Sequence, residues 1–156
     1  MDTTSLETIL KENPEILLLD DGMRLRANPA WVVPNETKLS YTTIIRLIEC
    51  CREYHWKKDI EPQIIDIQLD STCRFVKCDF FHPINVNEAV DIIYYVNEIR
   101  TRSYLLHFLV EDSNRTVTFA EIELILVFWD LQKNEPLIIP ENLATVLKSL
   151  LRNKLS

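Results

Sequence analysis

Residues 41–58 read YTTIIRLIECCREYHWKK, a run with neither glycine nor proline and with Ser40 or Thr42 available as an N-terminal cap. An advance of about 100° per residue places Ile44, Leu47, Ile48, Cys51, Tyr54 and His55 on one broad arc. Arg46, Glu49, Glu53 and Lys57 fall on the opposite stripe. A surface helix carries a narrower apolar stripe, so this arc predicts a long helix that is largely buried. The rest of the chain has to supply its cover.

Before the helix, Thr4 or Ser5 can cap a short helix reaching about Glu12, where Asn13-Pro14 stops it, and Asp20-Asp21-Gly22 reads as a turn. Residues 1–23 are therefore an N-terminal helical extension. Residues 24–33 are expected to form a first strand ending at Pro34, followed by the loop Pro34-Asn35-Glu36-Thr37. After the helix come four strand-like runs: Ile64 to about Phe81, Ala89 to about Arg100, Ser103 to about Glu111, and Thr116 to about Trp129. The first is punctuated near Asp70-Ser71. Asp112-Ser113-Asn114-Arg115 suits a hairpin turn, and the last three runs then form an antiparallel meander. In the final run, Ala120, Ile122, Leu124, Leu126 and Phe128 share one face. Pro140 opens a closing helix to about Arg152. Strand, long helix, then four strands argues for an α+β class: one antiparallel sheet around one central helix, with short helices at both ends. The 156 residues fit one domain, with 24–156 as its core.

Composition removes several function classes. The net charge of −7 offers no footprint for nucleic acid and opposes an anionic membrane surface. Gly22 is the only glycine, so neither a P-loop nor a dinucleotide-binding glycine turn exists. His55, His82 and His107 are scattered and no clustered Cys/His spacing appears, so no metal site is expected. Cys50, Cys51, Cys73 and Cys78 lack paired spacing and read as buried thiols. The first residues, MDTTSLETIL, lack the pattern of a secretory leader, which predicts a cytoplasmic protein.

Three patches carry a resemblance. Ile45-Arg46-Leu47-Ile48-Glu49-Cys50-Cys51-Arg52-Glu53 is similar to the "Y-L-R-W-x-E-x-A-R-E" stretch on the central helix of the 4-hydroxybenzoyl-CoA thioesterase group. The run Phe80 to Val90 resembles that group's "F-x-x-P-x-x-x-G-D-x-V" junction, and Pro136-Leu137-Ile138-Ile139-Pro140-Glu141 resembles its "P-I-P-E" ending. The resemblance covers about residues 24–150. It implies a hotdog fold and hydrolysis of an acyl-CoA or acyl-carrier-protein thioester at a site shared between two subunits of a homodimer or homotetramer. The helix N-terminus would polarise the thioester carbonyl while a nearby group directs water, and no cofactor is required.

The family's aspartate lies in a "D-x-x-G-x-V" stretch before the helix. Ungapped alignment puts that position at Pro34, and a one-residue deletion puts it at Asn35, with Glu36 beside it. A subgroup that releases enediyne polyketide chains is similar in carrying asparagine there and "C-R-E" on the helix, which Cys51-Arg52-Glu53 reproduces. The resemblance thus implies Arg52, with Asn35 or Glu36, as the catalytic set. Tyr41 and Thr42 at the helix start are candidates for substrate binding. Each has a plainer reading: Arg52 as a structural ion pair with Glu49, Asn35 and Glu36 as loop residues, Tyr41 as packing. His55 is expected as a core histidine and His82 as a loop residue. The missing aspartate also admits a non-catalytic hotdog module for acyl binding or assembly. A dehydratase or hydratase is disfavoured because no His with a carboxylate partner is evident.

Overall fold

The computed structural model describes residues 6–64 and 68–152. The expected caps Thr4 and Ser5 lie outside the described residues. Helix α1 (Leu6–Glu12) is followed by a hairpin of β1 (Leu17–Leu19) and β2 (Gly22–Arg26), then the central helix α2 (Tyr41–His55). Four long strands come next: β3 (Leu69–Phe80), β4 (Ala89–Ile99), β5 (Ser103–Asp112) and β6 (Thr118–Asp130). A short β7 (Glu135–Pro136) and helix α3 (Glu141–Ser149) complete the described chain. These strands form one sheet in the order β1-β2-β4-β5-β6-β3, with β7 on β6. The meander of the last three long strands is borne out, and so is the buried face of β6 from Ala120 to Phe128.

By contact density the chain divides into two compact units. One comprises Met1–His55, Asp79–Tyr94 and Phe108–Glu121. Here α2 buries Ile44, Leu47, Ile48, Cys50, Cys51 and His55. The Cys51 thiol reaches the Ile92 carbonyl at 3.8 Å, and the His55 ring lies 4.9 Å from that of Tyr94. Tyr54 is half-buried and donates its hydroxyl to the Leu19 carbonyl at 2.8 Å. The second unit comprises Trp56–Cys78, Tyr95–His107 and Ile122–Ser156. Its core gathers Tyr104, Leu106 and Phe128, with Trp56 and Tyr104 both against the Phe128 ring. Asn142 at the start of α3 donates to the Gln63 carbonyl at 2.7 Å.

Several boundaries differ from the sequence reading, each for a local reason. The first strand, expected over 24–33, spans Gly22–Arg26 because the Asn28 carboxamide accepts the Ala30 N–H at 2.9 Å and Pro29 opens a 3-10 turn, Pro29–Trp31. Residues 6–23 hold more than a helix, since they supply β1 and the first two residues of β2, Gly22 and Met23. The α-helical part of 41–58 ends at His55, and Trp56–Ile60 continues as a π turn. Strand β3 runs unbroken through Asp70-Ser71: the Asp70 carboxylate takes the Ser71 N–H at 2.8 Å without interrupting the strand. Its expected start at Ile64 borders residues 65–67, which lie outside the described residues. Of the four thiols, Cys50 and Cys51 are buried as expected, but Cys73 is exposed and Cys78 half-buried. Both belong to β3, which is open along most of its length.

Two features fix the first unit. Asp91, fully buried on β4, faces Arg24 across the strand pair and takes two hydrogen bonds from its guanidinium, at 2.8 and 3.0 Å. Arg115 adds a third at 3.2 Å and also reaches Asp21. A buried carboxylate is tolerable only with such pairing. The 112–115 turn is pinned separately by Asp112, whose carboxylate accepts the N–H groups of Val117 and Thr116, both at 2.7 Å. Those bonds, the Val117 N–H foremost, hold its carboxyl below the ordinary range.

Gly22 is the other feature. It opposes Ile93 in the β2–β4 register with φ +157°, and a β-carbon there would collide with the Ile92 carbonyl. Gly22→Ala is therefore expected to cost more than about 2 kcal/mol, read as a lowered denaturant midpoint at unchanged slope. An equal midpoint would show that this approach is not needed.

Candidate active site at the start of the central helix

The chain leading into α2 is held by backbone bonding rather than by regular structure. Leu39 N–H donates to the Ile84 carbonyl at 2.9 Å and Val86 N–H to the Thr37 carbonyl at 2.8 Å. Residues 37–39 are thereby zipped onto 84–86, which brings Tyr41 beside the end of β3. Ser40 caps the helix: its hydroxyl accepts the Thr43 N–H at 3.3 Å and exchanges bonds with the Thr42 and Thr43 hydroxyls. Its carbonyl takes the Ile44 N–H at 3.2 Å. The N–H groups of Tyr41 and Thr42 have no acceptor among the described residues, so the positive end of the α2 dipole faces outward.

That end borders a cleft of about 240 Å³ whose lining includes Tyr41, Ile44, Phe80, Phe81 and His82. The Tyr41 ring meets Phe80 edge-on at 6.3 Å. The walls are aromatic and the helix terminus is polar, a combination suited to an apolar group attached to a carbonyl. Upstream, Trp31, Glu36, Lys38 and Ser40 line a second cleft of about 360 Å³.

The sequence-derived candidates are not all gathered here. Tyr41 and Thr42 occupy the first turn of α2 as expected, Tyr41 on the aromatic cleft and Thr42 exposed. Glu36 is exposed and lines the upstream cleft. Asn35 has φ +74° in the turn that brings the Glu36 N–H to the Val33 carbonyl at 3.0 Å. A left-handed residue favours asparagine, so its backbone alone accounts for its identity. Arg52 lies in the last turn of α2, where its guanidinium binds Glu49 at 2.8 and 3.2 Å. Eleven residues of helix, a rise of roughly 16 Å, separate it from Tyr41. Arg52 thus stands about three turns along α2 from the cleft that Tyr41 lines.

His82 is the residue the sequence reading passed over. It stands in the loop expected of it, yet that loop delivers it to the same cleft as Tyr41. Nothing in a lone His-Pro pair announces this, because the placement depends on the pairing of 37–39 with 84–86. His55, by contrast, is fully buried in the core as expected, its ring tilted against that of Tyr94. Burial pushes the Cys51 thiol far above its ordinary value, which disqualifies it as a nucleophile.

No protein-family model matches the chain, and no curated protein matches it in sequence. Solved structures do match. A predicted thioesterase from Bacillus stearothermophilus superposes with a TM-score of 0.72 at 13% identity, over 83% of this chain and 95% of that one. The chain has the hotdog fold. The dynemicin thioesterase, whose structures describe polyene binding, matches at 0.69 and 12% identity, over 83% and 95% of the two chains. A 1,4-dihydroxy-2-naphthoyl-CoA thioesterase from Synechocystis matches at 0.67 and 9%, over 83% and 96%. The structural neighbours are thus hotdog thioesterases, and at these identities the likeness concerns the fold. No helix among the described residues is long and apolar enough to cross a membrane.

The Arg52 side chain is 29% exposed and its partner Glu49 is 47% exposed. A pair so open contributes little, so Arg52→Ala is expected to lower stability by less than about 1 kcal/mol. Thermal unfolding measures this. A larger loss would mark Arg52 as a structural residue of the fold.

Proposed function

We propose that the protein hydrolyses an acyl thioester, acyl-CoA or acyl-carrier-protein, with its carbonyl held at the N-terminus of α2. The observation that carries this reading is the pair of open N–H groups on Tyr41 and Thr42 beside the aromatic cleft. Two N–H donors backed by a helix dipole stabilise the charge that develops on a carbonyl oxygen under attack by water. Water adds to the carbonyl carbon, a base removes its proton, and the carbon–sulfur bond breaks. The proton then passes to the departing thiolate, giving a carboxylic acid and a free thiol.

In this reading Glu36 is the base, Asn35 helps hold the water, and Tyr41 and Thr42 contact the substrate. His82 is the alternative base, because it borders the cleft itself. Arg52 enters only in a site shared between subunits, where one chain's helix end can serve another's loop. The resemblance to the 4-hydroxybenzoyl-CoA group and its enediyne-releasing subgroup, together with thioesterases among the structural neighbours, supports the class of reaction. We place the protein in the cytoplasm.

Release of free thiol from a panel of CoA and pantetheine thioesters tests the reading. Wild type is expected to turn over at least one of them, and Glu36→Gln to lower kcat by about a hundredfold or more. Should Glu36→Gln keep full activity while His82→Asn loses it, the base is His82. No thiol release from any substrate would overturn the enzyme reading and leave the non-catalytic acyl-binding or assembly module.

The same reading includes a homodimer, or a tetramer built from dimers, joined through β3. That strand is terminal in the sheet, and its consecutive residues Phe75 and Val76 are 46% and 55% exposed, so both of its faces are open. A long terminal strand that carries exposed apolar residues invites pairing. Light scattering at micromolar concentration is expected to give twice the chain mass or a multiple of it, and Phe75→Lys to shift it towards the monomer. A monomeric wild type would reject the assembly and any role for Arg52 at the reacting carbonyl.

A further inference from the structure

Tyr104 and Leu106 point into the core of the second unit, so the alternation of β5 puts His107 on the opposite face of the sheet. A polar side chain on that face ordinarily meets water, yet His107 is 0% exposed. Its ring stacks on that of Tyr95, on β4, with centroids 4.9 Å apart and planes at 19°. On β6 the Glu123 carboxylate stands 3.4 Å from Nδ1 of His107. The row ends on Arg152, whose guanidinium carbon lies 4.8 Å from the centre of the Tyr95 ring. Residues 150–152 follow α3 and run beside β4. The Val96 N–H donates to the Leu150 carbonyl at 2.9 Å and the Arg152 N–H to the Val96 carbonyl at 2.8 Å, a parallel bridge between Val96 and Leu151. These two bonds and the ring contact join the segment to β4, and the Tyr95 ring is what couples it to His107.

Histidine is the side chain whose charge changes between about pH 5 and 8. Burial opposes charge at this position, whereas Glu123 supplies a counter-charge and the Tyr95 ring a π face on which a cation can rest. Further carboxylates share the face, Glu121 on β6 and Glu111 on β5. The like charge in the row is Arg152, brought to the same ring by the segment after α3. Once His107 takes a proton, two cations share one ring, and they repel each other while drawing on the same π electrons. His107 is fixed by its strand and by Glu123, so the exposed Arg152 is the one that yields.

We propose that this row is a proton-sensitive latch: uncharged His107 leaves Arg152 seated on Tyr95 and residues 150–152 fastened to β4, and protonated His107 loosens them. Docking of the segment is therefore strongest above the histidine range and is lost as pH falls through it. Acidification then uncovers the Val96 N–H and carbonyl on the edge of β4.

Hydrogen exchange at the Val96 N–H, corrected for the intrinsic pH dependence of exchange, reports the latch directly. Its protection is expected to fall about fivefold between pH 7.5 and pH 5.5, while that of Leu124 on β6 stays unchanged. In Arg152→Gln, which alters an exposed side chain, Val96 protection is expected to be low and equal at both pH values. In His107→Gln, which carries no titrating ring, it is expected to stay high at both. Where His107→Gln does not fold, the Cε1 proton of His107 in the wild type, followed by NMR, takes its place: its titration midpoint is expected to coincide with that of the change at Val96. Protection that holds or rises in acid would overturn the latch. So would a fall that persists in Arg152→Gln, one whose midpoint departs from that of His107, or one that Leu124 shares.

Discussion

Everything in the first unit follows from the need to bury an unusually wide arc of α2. Ile44, Ile48, Cys51 and His55 recur at helical spacing and meet the sheet, where Cys51 and His55 touch β4. Leu47 and Cys50 are buried as well, yet they lie round the helix with Thr43 and Tyr54, away from that line. One sheet cannot cover both. The second flank is the one turned towards the N-terminal segment, as the bonds from Tyr54 to Leu19 and from Leu6 to Glu53 show. Without residues 6–19 a flank containing Leu47 and a thiol would face water, and Ile9 and Leu6 would lose their own burial. The N-terminal segment is thus part of the hydrophobic economy of the central helix.

This explains which parts of the fold were legible in the sequence. The helix announced itself because hydrophobic periodicity is set by burial, and burial is what the sheet and α1 provide. The alternation on β6 was equally readable for the same reason. What periodicity does not encode is backbone bonding among polar loop residues. Asn28 ends a strand early by taking its own neighbour's N–H, and Asp70 takes that of Ser71 without ending one, although both look like breakers in a string of letters.

The site divides along the same line. The position of Tyr41 and Thr42 in the first turn of α2 was legible because a helix start can be located from its cap, and Ser40 performs that role. Arg52 was chosen from a short motif and from its angle on the helix, but angle says nothing of height. Its position three turns from the helix start comes from the rise of the helix, and its pairing with Glu49 satisfies the charge locally. Asn35 has a backbone reason for its identity as well as a proposed chemical one. A residue type expected to hold water is explained first by the left-handed turn it occupies, so its chemistry has to be argued separately from its presence. His82 was read as a loop residue, and its place on the cleft was not legible because its neighbours in space, Tyr41 and Ile44, are some forty residues away in the chain, brought near through the bonds of 37–39 with 84–86.

The absence of the expected loop aspartate then has a structural reading beyond loss. An aspartate beside an open helix terminus would be drawn towards the two N–H groups as a capping acceptor, because a carboxylate is the strongest partner such donors can find. In this chain Ser40 caps the terminus with a neutral hydroxyl and Glu36 keeps to its own cleft, so the N–H groups of Tyr41 and Thr42 retain their full donor capacity.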